Sequence, residues 1–274
     1  MTRPLEPREW KGQAYQLFEY EADSYHAGRE RQQGFQAQMA IVLTWLAGHE
    51  GRILDIGCAS GSAVQSFRDC GFKVLGMDFS PAMLAFARQR FSEDPGAQFC
   101  RGDTEFLPFA AKSFDYVTCL GVLEYLPDYV RAAGEIASVL RPGGMAIFSI
   151  PSRISPYHIA QRFAEVTVGP VWRGVKRLLR ARTIPSSQQV PRHSRNLCIP
   201  WRFRRLLAGF GLHSVESAYS NFFVFPLDRF WPSANLRLAA ELERFSGSPL
   251  LGWTASQYLV AAQKRVAGTG NMAR

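Results

Sequence analysis

Two short runs constrain this chain more than any other stretch. Residues 53–61 read I-L-D-I-G-C-A-S-G, and residues 74–80 read V-L-G-M-D-F-S. In each, an apolar run of strand length ends in an acid, Asp55 and Asp78. Between them come a small-residue loop and a segment, 62–70, that reads as a helix stopped by Gly71. Strand, small-residue loop, helix and second strand are the front end of a nucleotide-binding βαβ unit.

The alternation continues to residue 150. Ser80-Pro81 starts a helix, with proline at a first-turn position where no amide donor is missed, and Met83, Leu84, Phe86 and Ala87 carry it toward Phe91. A third strand at 98–101 ends in Gly102-Asp103. The run 114–120 is the near-continuous apolar kind that a doubly covered parallel strand shows. A helix at 129–139, a turn at Arg141-Pro142-Gly143-Gly144 and a strand at 145–150 follow. Such alternation predicts an α/β fold: a mostly parallel sheet with helices on both faces.

The flanks are different. Residues 13–50 read as helical, from Leu17, Tyr20 and Tyr25 to Phe35, Met39, Val42, Leu43 and Leu46 at three- and four-residue spacings. Beyond Pro151 the rhythm breaks. A candidate amphipathic helix at 166–182 sets Val168, Val171, Trp172, Val175, Leu178 and Leu179 against Arg173, Lys176, Arg177 and Arg180. A loop at 185–193, a helix from Pro200 to Leu207, a strand at 213–219, the aromatic run Phe222-Phe223-Val224-Phe225, a helix at 236–244 and a strand at 257–263 complete the reading. Residues 266–274 read as a frayed tail.

Charge separates these parts. The chain carries a net +9, yet 153–205 holds twelve Lys/Arg against one acid, Glu165, for +11, and the remainder sums to −2. The five cysteines are odd in number and lack C-x-x-C or Cys/His ligand spacing, so no metal site or disulfide framework is expected and a reducing compartment is. With no apolar h-region in 1–12 and no apolar stretch near ~20 residues, a cytoplasmic, soluble or peripheral protein is expected.

The loop's chemistry narrows the nucleotide. Its spacing is D-x-G-x-A-x-G (Asp55, Gly57, Ala59, Gly61), not G-x-G-x-x-G. A pyrophosphate on a helix N-terminus wants donors and positive potential, which a carboxylate at the loop's mouth opposes. A zwitterionic amino acid tail instead gives its carboxylate the backbone amides and its ammonium Asp55. That favours S-adenosylmethionine over a dinucleotide. Asp78, at the end of strand 2, suits the two ribose hydroxyls of either. Asp103, ending strand 3, is placed to accept from an exocyclic adenine amine. Any one of these acids by itself could be only a turn or cap residue.

The stretches ILDIGCASG, VLGMDFSPAML, GDTEFLPFAAKSFDYV, VLEYLPD and LRPGGMAIFSIP, in this order, resemble the class I S-adenosylmethionine-dependent methyltransferases, in particular the small-molecule group that includes ubiquinone and menaquinone biosynthesis enzymes. The resemblance covers 52–150, a little over a third of the chain, and Q-Y-L-V-A-A-Q-K near the C-terminus resembles the family's last strand. It implies a Rossmann-like seven-stranded sheet with the last strand antiparallel. It implies a single domain over 1–274, made of a helical cap (13–50), a cofactor-binding core (51–150), a basic insertion or lid (151–205) and the rest of the sheet (206–265). Gly57, Ala59 and Gly61 would border the methionine moiety, and Asp78 would hold the ribose. Phe79 and Met83 would pack on the nucleoside, Asp103 and Thr104 would meet the adenine, and Leu120 with Gly121 would floor the site, with Tyr25 contributed by the cap. Ala59 replaces the family's usual second glycine, and Tyr125 stands where relatives often carry histidine.

Methyl transfer from a sulfonium is an in-line displacement in which alignment supplies much of the rate. A base is needed only for an acceptor that must lose a proton, and Tyr125, His158 and His193 are the catalytic candidates, with Glu124 beside them. The acceptor is expected to be a small or lipophilic molecule bound by the parts outside the core, with O-methylation the expected outcome. C- or N-methylation, or an inert methyltransferase-like binding subunit, are the alternatives. The basic helix 166–182 has three readings: a solvated face, a peripheral contact with an anionic membrane, or a nucleic-acid surface, the last without any accompanying RNA-binding module.

Overall fold

A computed structural model of the protein describes residues 33–167, 196–222, 231–248 and 252–266. The expected helix before residue 33, with Tyr20 and Tyr25, lies outside the described residues, as do His193, the aromatic positions 223–225 and the basic helix beyond residue 167.

Seven strands form one sheet: β1 (Arg52–Ile56), β2 (Lys73–Asp78), β3 (Ala97–Arg101), β4 (Phe114–Leu120), β5 (Leu140–Pro151), β6 (Leu212–Ser220) and β7 (Gln257–Lys264). Their spatial order is β3-β2-β1-β4-β5-β7-β6. Strands β1 to β5 pair in parallel, and β7 runs antiparallel to both of its neighbours. The strand order reverses between β1 and β4, so the loops leaving these strands part at their carboxyl ends, which is where such sheets open a crevice for ligands.

Helices cover both faces, as near-continuous apolar strands require. On one face α1 (Gln33–Leu46), α2 (Ser62–Asp69) and α3 (Pro81–Arg90) bury Met39, Val42, Val64, Phe67 and Leu84 against Ile53, Val74, Ile147 and Leu259. On the other, α4 (Tyr129–Val139) and α6 (Pro200–Gly209) pack Ala133, Ile136, Phe203 and Leu207 on Leu54, Val117, Phe148 and Val260. Local chemistry starts these helices where the sequence places them. Ser80 caps α3 by accepting from the Met83 amide (3.2 Å) with Pro81 behind it, and Asp128 caps α4 by accepting from the Arg131 amide (2.9 Å). Between α6 and the end of the sheet lies α7 (Pro232–Leu242), which starts earlier than the spacing of its apolar residues predicts.

Two local expectations give way. The turn expected at 141–144 is an excursion inside β5: the pairing with β4 steps from Phe114↔Leu140 to Tyr116↔Met145. Gly143 takes a left-handed backbone (φ 81), and Gly144 lies so close to β4 that an added Cβ would stand 2.7 Å from the Asp115 carbonyl. The second is α5 (Pro156–Thr167), a helix the sequence pattern did not mark. Its Ile159 and Phe163 are exposed, so no core-facing stripe announces it.

Beyond its pairing with β5 and β6, the last strand is tied to α4 through Lys264. Lys264 Nζ donates to the carbonyls of Ala137 (2.6 Å) and Leu140 (2.8 Å), at the end of α4 where helical carbonyls lack partners. Replacing Lys264 by Met is expected to lower stability by about 1–2 kcal/mol, read as a lower urea midpoint at an unchanged slope.

Candidate cofactor site

A cavity of about 350 Å³ opens at the carboxyl ends of β1, β2, β3 and β4. Its first wall is the loop after β1. The amides of Gly57 and Cys58 donate to the Met77 carbonyl (2.7 and 3.2 Å), which seats the loop on the end of β2. Gly57 has φ 72, and a Cβ there would collide with Val122 at 2.2 Å, so the position admits no side chain. Ala59 also takes a left-handed backbone, φ 47, at a cost of about 1–2 kcal/mol for a residue with a Cβ. What holds it there is Asp78, whose Oδ2 accepts the Ala59 amide at 2.9 Å while Oδ1 accepts the Ser80 amide at 2.9 Å. The Asp78 carboxylate is thereby oriented at the cavity wall, with Gly57, Ala59, Phe79 and Met83 around it.

The second wall follows β3. Arg101, Gly102, Asp103 and Thr104 line it. Asp103 closes a tight turn, its Oδ1 accepting the Glu105 amide (3.0 Å) and its carbonyl the Phe106 amide (3.0 Å). Arg101 Nε donates to the Phe79 carbonyl (3.1 Å) and joins this wall to the first. The floor and far side are Leu120, Gly121, Val122, Tyr125 and Leu126. The Gly121 amide donates to Ser149 Oγ on β5 (2.8 Å), fixing the point where β4 ends.

Asp55 does not line the cavity. It is 3 % exposed, its Oδ1 accepts from the Thr118 hydroxyl (2.7 Å), and its Oδ2 is buried with no hydrogen-bond partner. Burial pushes its carboxyl up to about 7, opposed by the Thr118 hydrogen bond and assisted by the charge of Asp78. Gly61 is also off the cavity wall: it precedes α2 at φ 85, with Phe91 filling the space a Cβ would need. The structure thus brings Gly57, Ala59, Asp78, Phe79, Met83, Asp103, Thr104, Leu120, Gly121 and Tyr125 together on one cavity. His158 lies apart, with Nε2 3.2 Å from the Ser256 carbonyl. Met77, Arg101, Gly102, Val122 and Leu126 line the cavity without having been singled out in the sequence. Met77 and Gly102 border motif acids; the other three carry no composition signal.

Side chains remote in sequence hold the far walls in place. Glu105 Oε1 accepts the Asp128 amide (2.6 Å), and Arg131 Nε donates to the Glu105 carbonyl (2.8 Å), so the turn after β3 is tied to the start of α4. Asn196 donates from Nδ2 to the carbonyls of Leu123 (3.0 Å) and Leu126 (2.6 Å), and from its amide to the Glu124 carbonyl (2.9 Å). Burial raises the thiols of Cys58 and Cys119 well above their ordinary range, which leaves neither as a nucleophile. Among the described residues no cluster of His, Cys, Asp and Glu could hold a metal.

Residues 54–148 match the family described as a methyltransferase domain. Over these residues, about a third of its length, the chain is similar to methyltransferases. A ubiquinone biosynthesis O-methyltransferase of Aromatoleum aromaticum is 34% identical over 117 residues, which are 40% of this chain and 50% of that one. The chain therefore spans about half the length of this curated relative. Among solved structures, an S-adenosylmethionine-dependent methyltransferase of Thermotoga maritima, described as a possible histamine N-methyltransferase, superposes with a TM-score of 0.62 at 17% identity, over 92% of this chain and 100% of that one. An N-methyltransferase of Bradyrhizobium japonicum in complex with S-adenosyl-L-homocysteine gives 0.60 at 15% identity, over 92% and 98%. At such identities the structures show a shared fold.

The residues around this cavity fit S-adenosylmethionine. The buried Asp55 Oδ2 is an acceptor that no described residue satisfies, beside a loop built to let a ligand approach the backbone. A cation set against Asp55 favours its charged form, so binding an amino acid tail there releases a proton. The unbound domain keeps that proton up to about pH 7, whereas an unfolded chain loses it near 4. The stability Asp55 contributes is accordingly full below its unfolded value and lost as pH rises through about 7, and cofactor affinity runs the other way. Affinity for S-adenosylhomocysteine is expected to rise on the order of tenfold between pH 5.5 and 7 and level off above, with Asp55→Asn flattening the profile, as calorimetry across that range would read.

Proposed function

We propose that this protein transfers the methyl group of S-adenosylmethionine to an oxygen of a small or lipophilic acceptor. The observation that carries the reading is the row of acids Asp55, Asp78 and Asp103 at three adjacent strand ends: Asp78 and Asp103 stand in the wall of one cavity whose opposite side is apolar, and Asp55 is buried behind the loop that forms that wall. In this reading Asp55 takes the ammonium of the amino acid tail and Asp78 the ribose hydroxyls. Asp103 and Thr104 meet the adenine edge, while Phe79 and Met83 sandwich the nucleoside. Bound there, S-adenosylmethionine supplies an activated methyl on a sulfonium.

The protein's own part is alignment and exclusion of water. Leu120, Val122, Tyr125 and Leu126 make an apolar floor, which strips solvent from the reacting end and supports in-line approach of an acceptor. An acceptor hydroxyl needs a proton acceptor during attack. Tyr125 is the candidate on the cavity, with His158 and His193 as the candidates from beyond the core. Support for oxygen as the target comes from the ubiquinone biosynthesis O-methyltransferase to which the core is similar.

The basic segment gives a second proposal: peripheral contact with an anionic membrane that delivers a lipophilic acceptor. It is supported by the +11 charge of 153–205 and by Ile159 and Phe163, exposed one turn apart on α5. No helix among the described residues is long and apolar enough to cross a membrane. Co-sedimentation with phosphatidylglycerol vesicles is expected at low salt and lost at high salt, and Ile159→Glu with Phe163→Glu is expected to weaken it. Binding indifferent to both salt and these substitutions would refute the contact.

Calorimetry with S-adenosylmethionine, S-adenosylhomocysteine and NAD tests the main reading. Both sulfur nucleosides are expected to bind and NAD is not; no binding of either sulfur nucleoside overturns it. Asp78→Ala removes two hydrogen bonds to a charged acid and is expected to weaken S-adenosylhomocysteine by roughly 2–4 kcal/mol. Mass spectrometry of a cell extract incubated with protein and S-adenosylmethionine would show the acceptor as a species heavier by about 14 daltons, the mass of a methyl replacing a hydrogen.

A further inference from the structure

At the edge of the sheet where β5 and β6 end and β7 begins lies a second group of polar atoms that the cofactor site does not use. Pro151, Gln257 and Ser220 are side by side in register across these three strands. Side chains alternate along a strand, so this row shares a sheet face with the row two residues back, Ser149, Leu259 and Ala218. Ser149 is the residue that receives the Gly121 amide at the cavity floor. The same face therefore runs from the floor of the cofactor site outward to Gln257 and Ser220.

Four buried oxygens in this corner have no hydrogen-bond partner among the described residues: Ser220 Oγ, Asn221 Oδ1, Glu243 Oε2 and Gln257 Oε1. Each buried orphan costs about 1–3 kcal/mol, and proteins keep few of them without a reason. These side chains are not loosely placed. Asn221 adopts a left-handed backbone (φ 61), a conformation asparagine tolerates better than most residues. Its amide donates to Glu243 Oε1 at 2.7 Å, and its carbonyl receives the Ser256 amide (3.0 Å) and hydroxyl (2.8 Å). Glu243 is thus held by one oxygen while the other stays unmatched. Burial lifts its carboxyl to about 7, against the backbone amides of Asn221 and Phe222 that lower it. The corner stores an unmet demand for hydrogen-bond donors.

We propose that this corner is an acceptor subsite that binds a hydrogen-bond-donating group, hydroxyl or ammonium, on the molecule to be methylated. The assignment rests on the methyl-transfer reading above and adds the chemistry the acceptor must carry. The two amide oxygens can only accept, and Glu243 Oε2 does so in its charged form, so O–H and N–H groups satisfy all three. A carboxylate or phosphate on the acceptor would face Glu243 and the two amide oxygens and be rejected. A ligand donating to Glu243 Oε2 favours the charged carboxylate, which the Asn221 amide already supports.

The experiment uses the full chain, S-[methyl-³H]adenosylmethionine and the small-molecule fraction of a cell extract, with catechol, phenethylamine and benzoate as competitors. Catechol or phenethylamine, according to whether hydroxyl or ammonium is the natural donor, is expected to inhibit label transfer, and benzoate is not. Glu243→Gln and Ser220→Ala are each expected to cut transfer at least tenfold and to weaken that inhibition, with S-adenosylhomocysteine affinity within twofold of the parent. Should Glu243→Gln fail to fold, Ser220→Ala and Gln257→Met carry the test. Transfer and competition unchanged in folded variants would identify the corner as a site for buried water and overturn the subsite, leaving the methyltransferase reading intact. A parent chain that binds no S-adenosylhomocysteine would remove that reading, and the subsite with it. A chain that binds it but labels nothing in the extract would refute the subsite alone.

Discussion

The carboxylate of Asp78 is the interaction on which the site depends. One oxygen takes the amide of Ala59, the other that of Ser80, so a single side chain at the end of β2 fixes both the loop after β1 and the start of α3. The Met77 carbonyl reinforces the first of these through the amides of Gly57 and Cys58. An alanine in a left-handed conformation would be a weak point in an unsupported loop. Here its amide is committed to a buried acid, and that bond offsets much of the backbone strain. The wall proposed to meet the amino acid tail and the acid proposed to meet the ribose are therefore one mechanical unit.

The opposite side of the cavity is built by different means. No strand end forces the segment 121–126 into place; it is held by Ser149 below Gly121 and by three hydrogen bonds from Asn196. Asn196 stands in the later part of the basic segment 153–205, and Cys198 pairs with Ser152 just before its start. The start and the later part of that segment are thus anchored at the carboxyl edge of β5, the later part directly on the wall that carries Tyr125. Glu105 and Arg131 do the same for the turn after β3. The cavity is a set of loops cross-braced by side chains far apart in the chain.

How much of this could be read from the sequence follows from which forces act locally. The strands, the helices α2 to α4 and the acids that end β1, β2 and β3 were legible because apolar runs, caps and strand-end residues act within a few positions. The Arg-Pro-Gly-Gly stretch read as a turn because its residues favour one, and the structure makes it an excursion within β5 because β4 pairs with Leu140 before it and Met145 after it. Helix α5 escaped notice because its apolar residues face outward. Asn196, Glu105 and Arg131 have no local signature: their partners lie tens of residues away, and nothing in their neighbourhood distinguishes them from surface polar residues.

The sequence by itself determined the parallel sheet, its first loop and the class of nucleotide that loop suits, since periodicity and side-chain charge are properties of short stretches. It did not determine that Asp55 is sunk out of the cavity wall with an unmatched oxygen, while Asp78 stands in the wall. Nor did it reveal that Ser220, Asn221, Glu243 and Gln257 leave four buried oxygens together at the edge of the sheet. Burial and hydrogen-bond satisfaction depend on what the folded chain places around an atom. Only the tertiary structure decides them, because the groups that supply or withhold a partner come from strands and loops that meet nowhere in the sequence.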